Sequence, residues 1–210
     1  MTETAHFWDN IAEKYAANPI KDPDAYEYTL GRTRSYLTPN DRVLEIGGGT
    51  GSTALNLAGD VAEITGTDIS PEMTRIARGK ATAQEIGNAT FKVQSAMDAA
   101  RSANQYDVVM GFNILHLTED MEGVLNTLSR ELAPGSLLIT KTPCIGDPSL
   151  GLIRFVFRAM IPLMQLIGKA PFVRYLTHQE LEAAITWAGF RIIETATNPK
   201  MSRYIVARKQ

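Results

Sequence analysis

Two carboxylates, Glu45 and Asp68, each close an apolar run, and a cluster of glycines lies between them. Val43-Leu44-Glu45-Ile46 leads straight into Gly47-Gly48-Gly49-Thr50-Gly51, and a helix-like stretch, Ser52 to Ala58, follows at once. This reads as a buried strand, a tight turn and the start of a helix. Glycines there let the backbone bend sharply and let a ligand lie against bare main chain. Asp68 ends the next apolar run, Ala62 to Thr67. A strand-end carboxylate roughly 20 residues past a glycine turn is placed to bind a ribose diol. The chemistry this points to is the binding of a nucleoside-containing cofactor. Glycines alone would also suit a plain tight turn. Asp68 alone would also suit an acid at the start of a helix opened by Ser70-Pro71. Both in register favour the cofactor.

The glycine spacing narrows the choice. A dinucleotide fingerprint needs a third glycine or alanine three residues after the second. Counted from Gly47 and Gly49, that position is Ser52, and the pattern is instead Gly-x-Gly-x-Gly, ending at Gly51. No Gly-Lys-Ser/Thr follows, which excludes a triphosphate P-loop. Glu45-Ile46-Gly47-Gly48-Gly49-Thr50-Gly51 closely resembles the first motif of class I S-adenosylmethionine-dependent methyltransferases, and Thr67-Asp68-Ile69-Ser70-Pro71-Glu72-Met73 resembles their second. The likeness continues through Tyr106-Asp107-Val108-Val109, Leu115-His116 and Leu132-Ala133-Pro134-Gly135-Ser136-Leu137-Leu138. It covers about residues 5 to 210. S-adenosylmethionine has no phosphate, so the turn need not neutralise a pyrophosphate. It must leave room for a methionine tail.

The resemblance implies a cofactor site at Tyr15, Glu45, Gly47, Gly48, Gly49, Gly51, Asp68, Ile69, Met73, Ser95, Ala96, Met97 and Asn113. Gly47 and Gly49 would lie against the methionine part, Asp68 would take the ribose hydroxyls, and Ile69 would pack on the adenine. Ala96 and Met97 would border the adenine. Many family members have an acid near Ser95 for the adenine amino group, whereas here Asp98 comes three residues later, which leaves that contact open. Asn113 would sit near the methionine tail or the methyl group. Tyr15 matches an N-terminal helix that closes over the cofactor in many small-molecule members. An ordinary aromatic packed on the sheet fits Tyr15 equally well.

Asn113 and His116 are the candidate catalytic residues. A histidine titrates near neutrality and can accept a proton from an acceptor hydroxyl, thiol or ammonium. Packing or helix capping is the competing role for His116. Methyl transfer need not use a base, because an in-line approach at near-attack distance supplies much of the rate. Trp8 could face the acceptor if the N-terminal helix is a lid, but packing is the favoured reading. His178 lies in a capping box, Thr177-His178-Gln179-Glu180. Cys144, the only cysteine, is read as an inert buried thiol. It excludes an internal disulfide and a cysteine-rich zinc site, and no metal-ligand cluster is visible.

These residues need a scaffold that brings strand ends together. Strands are predicted near 42–46, 62–67, 90–94, 106–111 and 136–141, alternating with helices near 52–58, from Pro71 to about Gly87, and near 119–131. Residues 1–40 form an N-terminal helical cap, broken at Asn18-Pro19 and Asp22-Pro23. The last strands, near 190–196 and 203–208, have too short a link for a parallel crossover and must form an antiparallel hairpin. The fold class is therefore α/β: a Rossmann-like, doubly wound, mainly parallel seven-stranded sheet in a single domain. Residues 144–176 form an apolar insertion, predicted as a pair of short helices that roof the acceptor site. Simple core, or a hydrophobic partner surface, is the alternative for this Met-rich stretch. Arg154 and Arg158 share one face there; they could meet an acidic acceptor or lipid headgroups, but the solvated face is the favoured reading.

Composition is that of a soluble globular chain, 44% hydrophobic and 21% charged with net charge −2. No dense cationic cluster appears, which argues against a nucleic-acid partner. The N-terminus lacks a secretory signal, and residues 150–167 carry Arg154, Arg158, Pro162 and Gln165, against a transmembrane span. The expected location is the cytoplasm, with peripheral membrane contact left open. The expected activity is methyl transfer from S-adenosylmethionine, giving S-adenosylhomocysteine, to a small apolar acceptor through an O, S, N or C nucleophile. The alternatives are a non-catalytic cofactor binder that acts through a partner and a macromolecule methyltransferase. The oligomeric state is not readable.

Overall fold

In the computed structural model, which describes residues 3–210, seven strands form one sheet in the order β3-β2-β1-β4-β5-β7-β6. Strands β1 (Arg42–Ile46), β2 (Glu63–Asp68), β3 (Ala89–Val93), β4 (Val108–Phe112) and β5 (Leu137–Pro143) run parallel. β7 (Ser202–Lys209) is antiparallel to both β5 and β6 (Phe190–Ala196), so the C-terminal hairpin forms. Chain order reverses between β1 and β4, and such a switch point opens a crevice at the carboxyl ends of the strands.

Successive strand residues point to opposite faces, and both faces are apolar. Val43, Val108, Ile139 and Val206 pack with Leu55 and Leu57 of α3 (Ser52–Leu57) and Leu30 of α2 (Pro23–Arg34). Their neighbours Leu44, Val109, Leu138 and Ile205 pack on the other side with α5 (Ala96–Arg101), α6 (Met121–Glu131) and α8 (His178–Trp187). This pairing of cores makes the fold doubly wound.

Caps set several helix ends. Asp22 accepts from the Ala25 N–H at the start of α2, and Ser70 accepts from the Met73 N–H at the start of α4 (Pro71–Ala83). Thr177 and Glu180 form the reciprocal capping box of α8. α4 ends earlier than Gly87. Glu85 takes the left-handed conformation, with φ 56°, and Ile86 N–H donates to the Ala81 carbonyl while Glu85 N–H donates to Thr82. That is a Schellman closure with a non-glycine residue at its strained position.

The insertion also differs from expectation. It holds one helix, α7 (Ile153–Leu166), with Pro162 inside it, and not two. Proline removes one helical hydrogen bond, to the carbonyl four residues back. That residue, Arg158, is exposed, so water can serve the freed oxygen. The remaining helix, α1 (Glu3–Ala17), packs on α4.

Candidate active site

A cleft of about 650 Å³ opens at the switch point. Its walls include Tyr15, Gly47, Gly49, Asp68, Ile69 and Met73, together with Ser95, Ala96, Met97, Asn113 and His116. The segments after β1, β2, β3 and β4 therefore bring ten of the residues singled out from sequence to one cavity, and α1 brings an eleventh, Tyr15. Glu45, Gly48 and Gly51 are not among its lining residues.

Each of those three does something underneath. The Glu45 carboxylate is buried below the turn, and a Cβ on Gly48 would come within 3.0 Å of its Oε2. Burial pushes the Glu45 carboxyl up to about 7, and Oε2 has no hydrogen-bond partner. Gly51 has φ +78°, and a Cβ there would meet Ala77 Cβ and Phe91 Cζ at 2.8 Å. It lets α3 sit tightly against α4 and β3. Gly49 is the opposite case: a Cβ would point into the cleft, with only Tyr15 Cε1 near it, at 4.0 Å. The turn is a cradle of exposed main chain, and a side chain at Gly49 would fill it.

Asp68 braces this cradle. One of its oxygens accepts from the Gly49 N–H at 2.9 Å, and the other accepts from the Ser70 N–H at 2.9 Å. Burial raises its pKa, and those two amides pull it back. It is not the N-cap of α4, which is Ser70. A carboxylate has about four acceptor sites, so Asp68 retains capacity for hydroxyl donors in the cleft. Ser95 caps α5 by accepting from the Asp98 N–H, and its hydroxyl donates to the Asp98 carboxylate at 2.7 Å. Asp98 is thus spoken for by Ser95 and is not in the cleft lining.

Asn113 follows β4 with φ 57°, a conformation asparagine tolerates better than most residues. Its N–H donates to the Lys141 carbonyl at 2.7 Å, which fixes the turn. His116 lies in a short 3-10 turn, Leu115–Leu117, and its carbonyl accepts from the Arg174 N–H at 2.7 Å. Burial drives the imidazole pKa down to about 4, and Nδ1 has no hydrogen-bond partner among the described residues. The ring is therefore neutral at ordinary pH, with Nδ1 buried and unpaired. Its conjugate acid is so acidic that taking a proton from a hydroxyl or ammonium is uphill. The ring is better suited to hold an acceptor proton by a hydrogen bond than to remove it.

The roof comes from two distant segments. α1 supplies Thr4, Trp8 and Tyr15, and the extended chain after α7 supplies Pro171 and Val173. Trp8 lines the cleft, contrary to its reading as packing, and stacks edge-to-face with Phe7 at 5.3 Å. α1 is fastened to α4 by Asp9, whose Oδ1 accepts from the Ser70 hydroxyl and the Glu72 N–H, and by a Glu13–Arg75 ion pair. Asp9 was not singled out from sequence. Its only signal is an i, i+4 acid pair with Glu13 on one helix face. α7 itself contributes nothing to the cleft lining. Cys144 is fully buried with its thiol pushed up to about 12 and is also absent from the lining. His178 sits by Asp147, with Nδ1 3.3 Å from Oδ2, at the start of α8. Among the described residues no group of three His, Cys, Asp or Glu could hold a metal ion, and no helix is long and apolar enough to cross a membrane.

Comparison with known proteins agrees with this geometry. The family described as a methyltransferase domain matches residues 15–195. The chain is similar to the highly reducing polyketide synthase PKS6 of Gibberella zeae, 32% identical over 140 residues, covering 61% of this chain and 5% of that protein. It is similar to the demethylmenaquinone methyltransferase of Tropheryma whipplei, 30% identical over 103 residues, covering 49% of this chain and 42% of that one. The chain thus spans less than half the length of these curated relatives. An S-adenosylmethionine-dependent methyltransferase structure from Thermotoga maritima matches with TM-score 0.72 at 18% identity, covering 99% of this chain and 100% of that one.

Proposed function

This chain belongs to the class I S-adenosylmethionine-dependent methyltransferases, and from that premise we propose that it methylates a small, apolar acceptor held under α1 and the Pro171–Val173 segment. The observation that carries the reading is the shape of the cleft. Its floor is bare glycine main chain braced by Asp68, and its roof offers Trp8, Leu117, Pro171 and Val173. The residues fit the cofactor. Gly49 leaves open the space a side chain would fill, and the Glu45 Oε2 below it is buried without a partner.

Gly47 and Gly49 would hold the methionine portion, Asp68 the ribose hydroxyls, and Ile69, Ala96 and Met97 the adenine. When bound, S-adenosylmethionine supplies a methyl carbon already activated by its sulfonium. The chain's own work is then orientation and exclusion of water. The acceptor's nucleophilic atom is held in line behind that carbon, with the neutral His116 ring and Asn113 as its polar contacts. The apolar walls favour acceptors that gain by leaving water. A proton released from the acceptor passes to solvent, since His116 is too weak a base to keep it. The site acts in this reading on a free small molecule, not on a nucleic acid, given the net charge of −2.

Calorimetric titration with S-adenosylmethionine, S-adenosylhomocysteine and NAD tests this directly. Binding of the first two and not the third is expected, followed by methyl transfer in a screen of apolar thiols, phenols and amines. Binding of NAD alone, or of none, refutes the reading.

A further inference from the structure

Helix α7 is built with its apolar side outward. None of its residues is buried. Leu152, Val156, Met160, Leu163 and Ile167 recur at spacings of three and four and so share one side of the helix. All five are exposed, Leu152 to 83%. Phe155 and Leu166 flank them and are exposed too. The half-buried Arg154, Phe157, Ile161 and Met164 hold the opposite side to the protein, with the Arg154 Nε buried. A surface helix on a water-facing domain shows its polar side to solvent, so this face wants a cover.

Charge identifies the cover. Between Asp147 and Glu180 the chain has no carboxylate, yet it carries Arg154, Arg158, Lys169 and Arg174. Arg174 pairs with Glu122, but among the described residues the other three form no ion pair. This local excess of cation sits in a chain of net charge −2. A second copy docked about a two-fold axis would set two such carboxylate-free segments against each other, which is repulsive. An anionic lipid surface offers an apolar layer for the leucines and phosphates for the exposed cations.

We propose that α7 lies in the plane of an anionic lipid surface, its apolar side submerged and the exposed Arg158 and Lys169 among the headgroups. The end of α7 also borders a groove of about 1080 Å³ against α1, lined in part by Phe7, Ile11, Leu166 and Phe172. That groove shares Thr4, Tyr15, Glu119 and Pro171 with the cofactor cleft. The lipid-seated end of the helix is therefore the mouth of a path to the site. Docking itself does not depend on the methyl-transfer reading, since α7 touches no part of the cleft.

Co-sedimentation of the full chain with phosphatidylglycerol-containing vesicles, against pure phosphatidylcholine vesicles, tests the proposal. Binding at least tenfold stronger to the anionic vesicles is expected, and it weakens with salt. The Phe155→Glu, Leu163→Glu double variant loses vesicle binding. Arg158→Gln with Lys169→Gln loses the preference for anionic lipid. Both keep their affinity for S-adenosylhomocysteine and their circular dichroism spectrum, which separates docking from folding and from the function of the cleft. Should the glutamates unfold the chain, the glutamine pair alone decides. Equal binding to both vesicle types, no binding, or a dimer in light scattering that Leu163→Glu dissociates would overturn the proposal, the last by giving the face to a second copy.

Discussion

Placing the same methyl group at Gly49 and at Gly51, two residues apart, should produce opposite failures. Both glycines have positive φ, 54° and 78°, so alanine at either costs about 1 kcal/mol in backbone strain. At Gly51 the new Cβ also lands 2.8 Å from Ala77 Cβ and Phe91 Cζ, in a packed core. Overpacking of that kind adds about 2 kcal/mol. The total of about 3 kcal/mol lowers Tm by about 6–12 °C in a chain of this size. At Gly49 the Cβ finds open cleft, so Tm falls by only about 2–4 °C. The penalty there falls on binding instead: the methyl occupies the cradle, and affinity for S-adenosylhomocysteine drops at least tenfold, about 1.4 kcal/mol. Thermal unfolding and calorimetry at 25 °C, where both variants are folded, read the two quantities separately. If Gly49→Ala binds like the wild type while Gly51→Ala does not, the glycine turn is not the cradle and the argument fails.

Three further tests concern charge and strain. Glu45 titrates near 7 in the folded chain, against an ordinary value of 4.5, because burial disfavours its anion. The folded state therefore binds the extra proton between those values, and stability falls as pH rises through that window, by up to about 3 kcal/mol. Urea unfolding at pH 5 and pH 8 should show Glu45→Gln removing this loss; an unchanged difference between wild type and variant at the two pH values contradicts it. His116→Ala should lower turnover about tenfold with no change in cofactor affinity and no loss of an acidic limb near pH 6.5, since its ring is neutral down to about 4. A pH–rate limb that vanishes only in this variant would restore it as the base. Glu85→Gly should raise stability by about 0.5–1 kcal/mol by relieving the left-handed cap of α4; a lowered denaturation midpoint would refute that account.

The strand–glycine–helix unit was legible from sequence because local chemistry fixes it. An apolar run, a carboxylate and glycines specify a bend that few other structures need. Asp68, Asn113 and the hairpin were legible for the same reason, through strand-end position and link length. Sequence named the roofing segments, the N-terminal helix and residues 144–176, but not which of their side chains face the cleft. Trp8 and Val173 meet the cleft only because α1 and the chain beyond α7 return to it from opposite ends of the sequence. No local pattern distinguishes an aromatic that lines a cavity from one that packs. Asp9 was hidden likewise, since its partners at Ser70 and Glu72 lie on another helix. The single α7 was misjudged through Pro162, whose cost is small where the freed carbonyl meets water.

The division of labour along the chain has a consequence for descent. The floor of the cleft, from Gly47 to Met97, comes from one continuous stretch, and the roof over the acceptor comes from residues before 16 and after 170. Selection can therefore rewrite the outlying pieces, by substitution or by loop exchange, while the inherited floor stays intact. A lineage built this way diversifies by changing what it welcomes, and never has to reinvent what it spends.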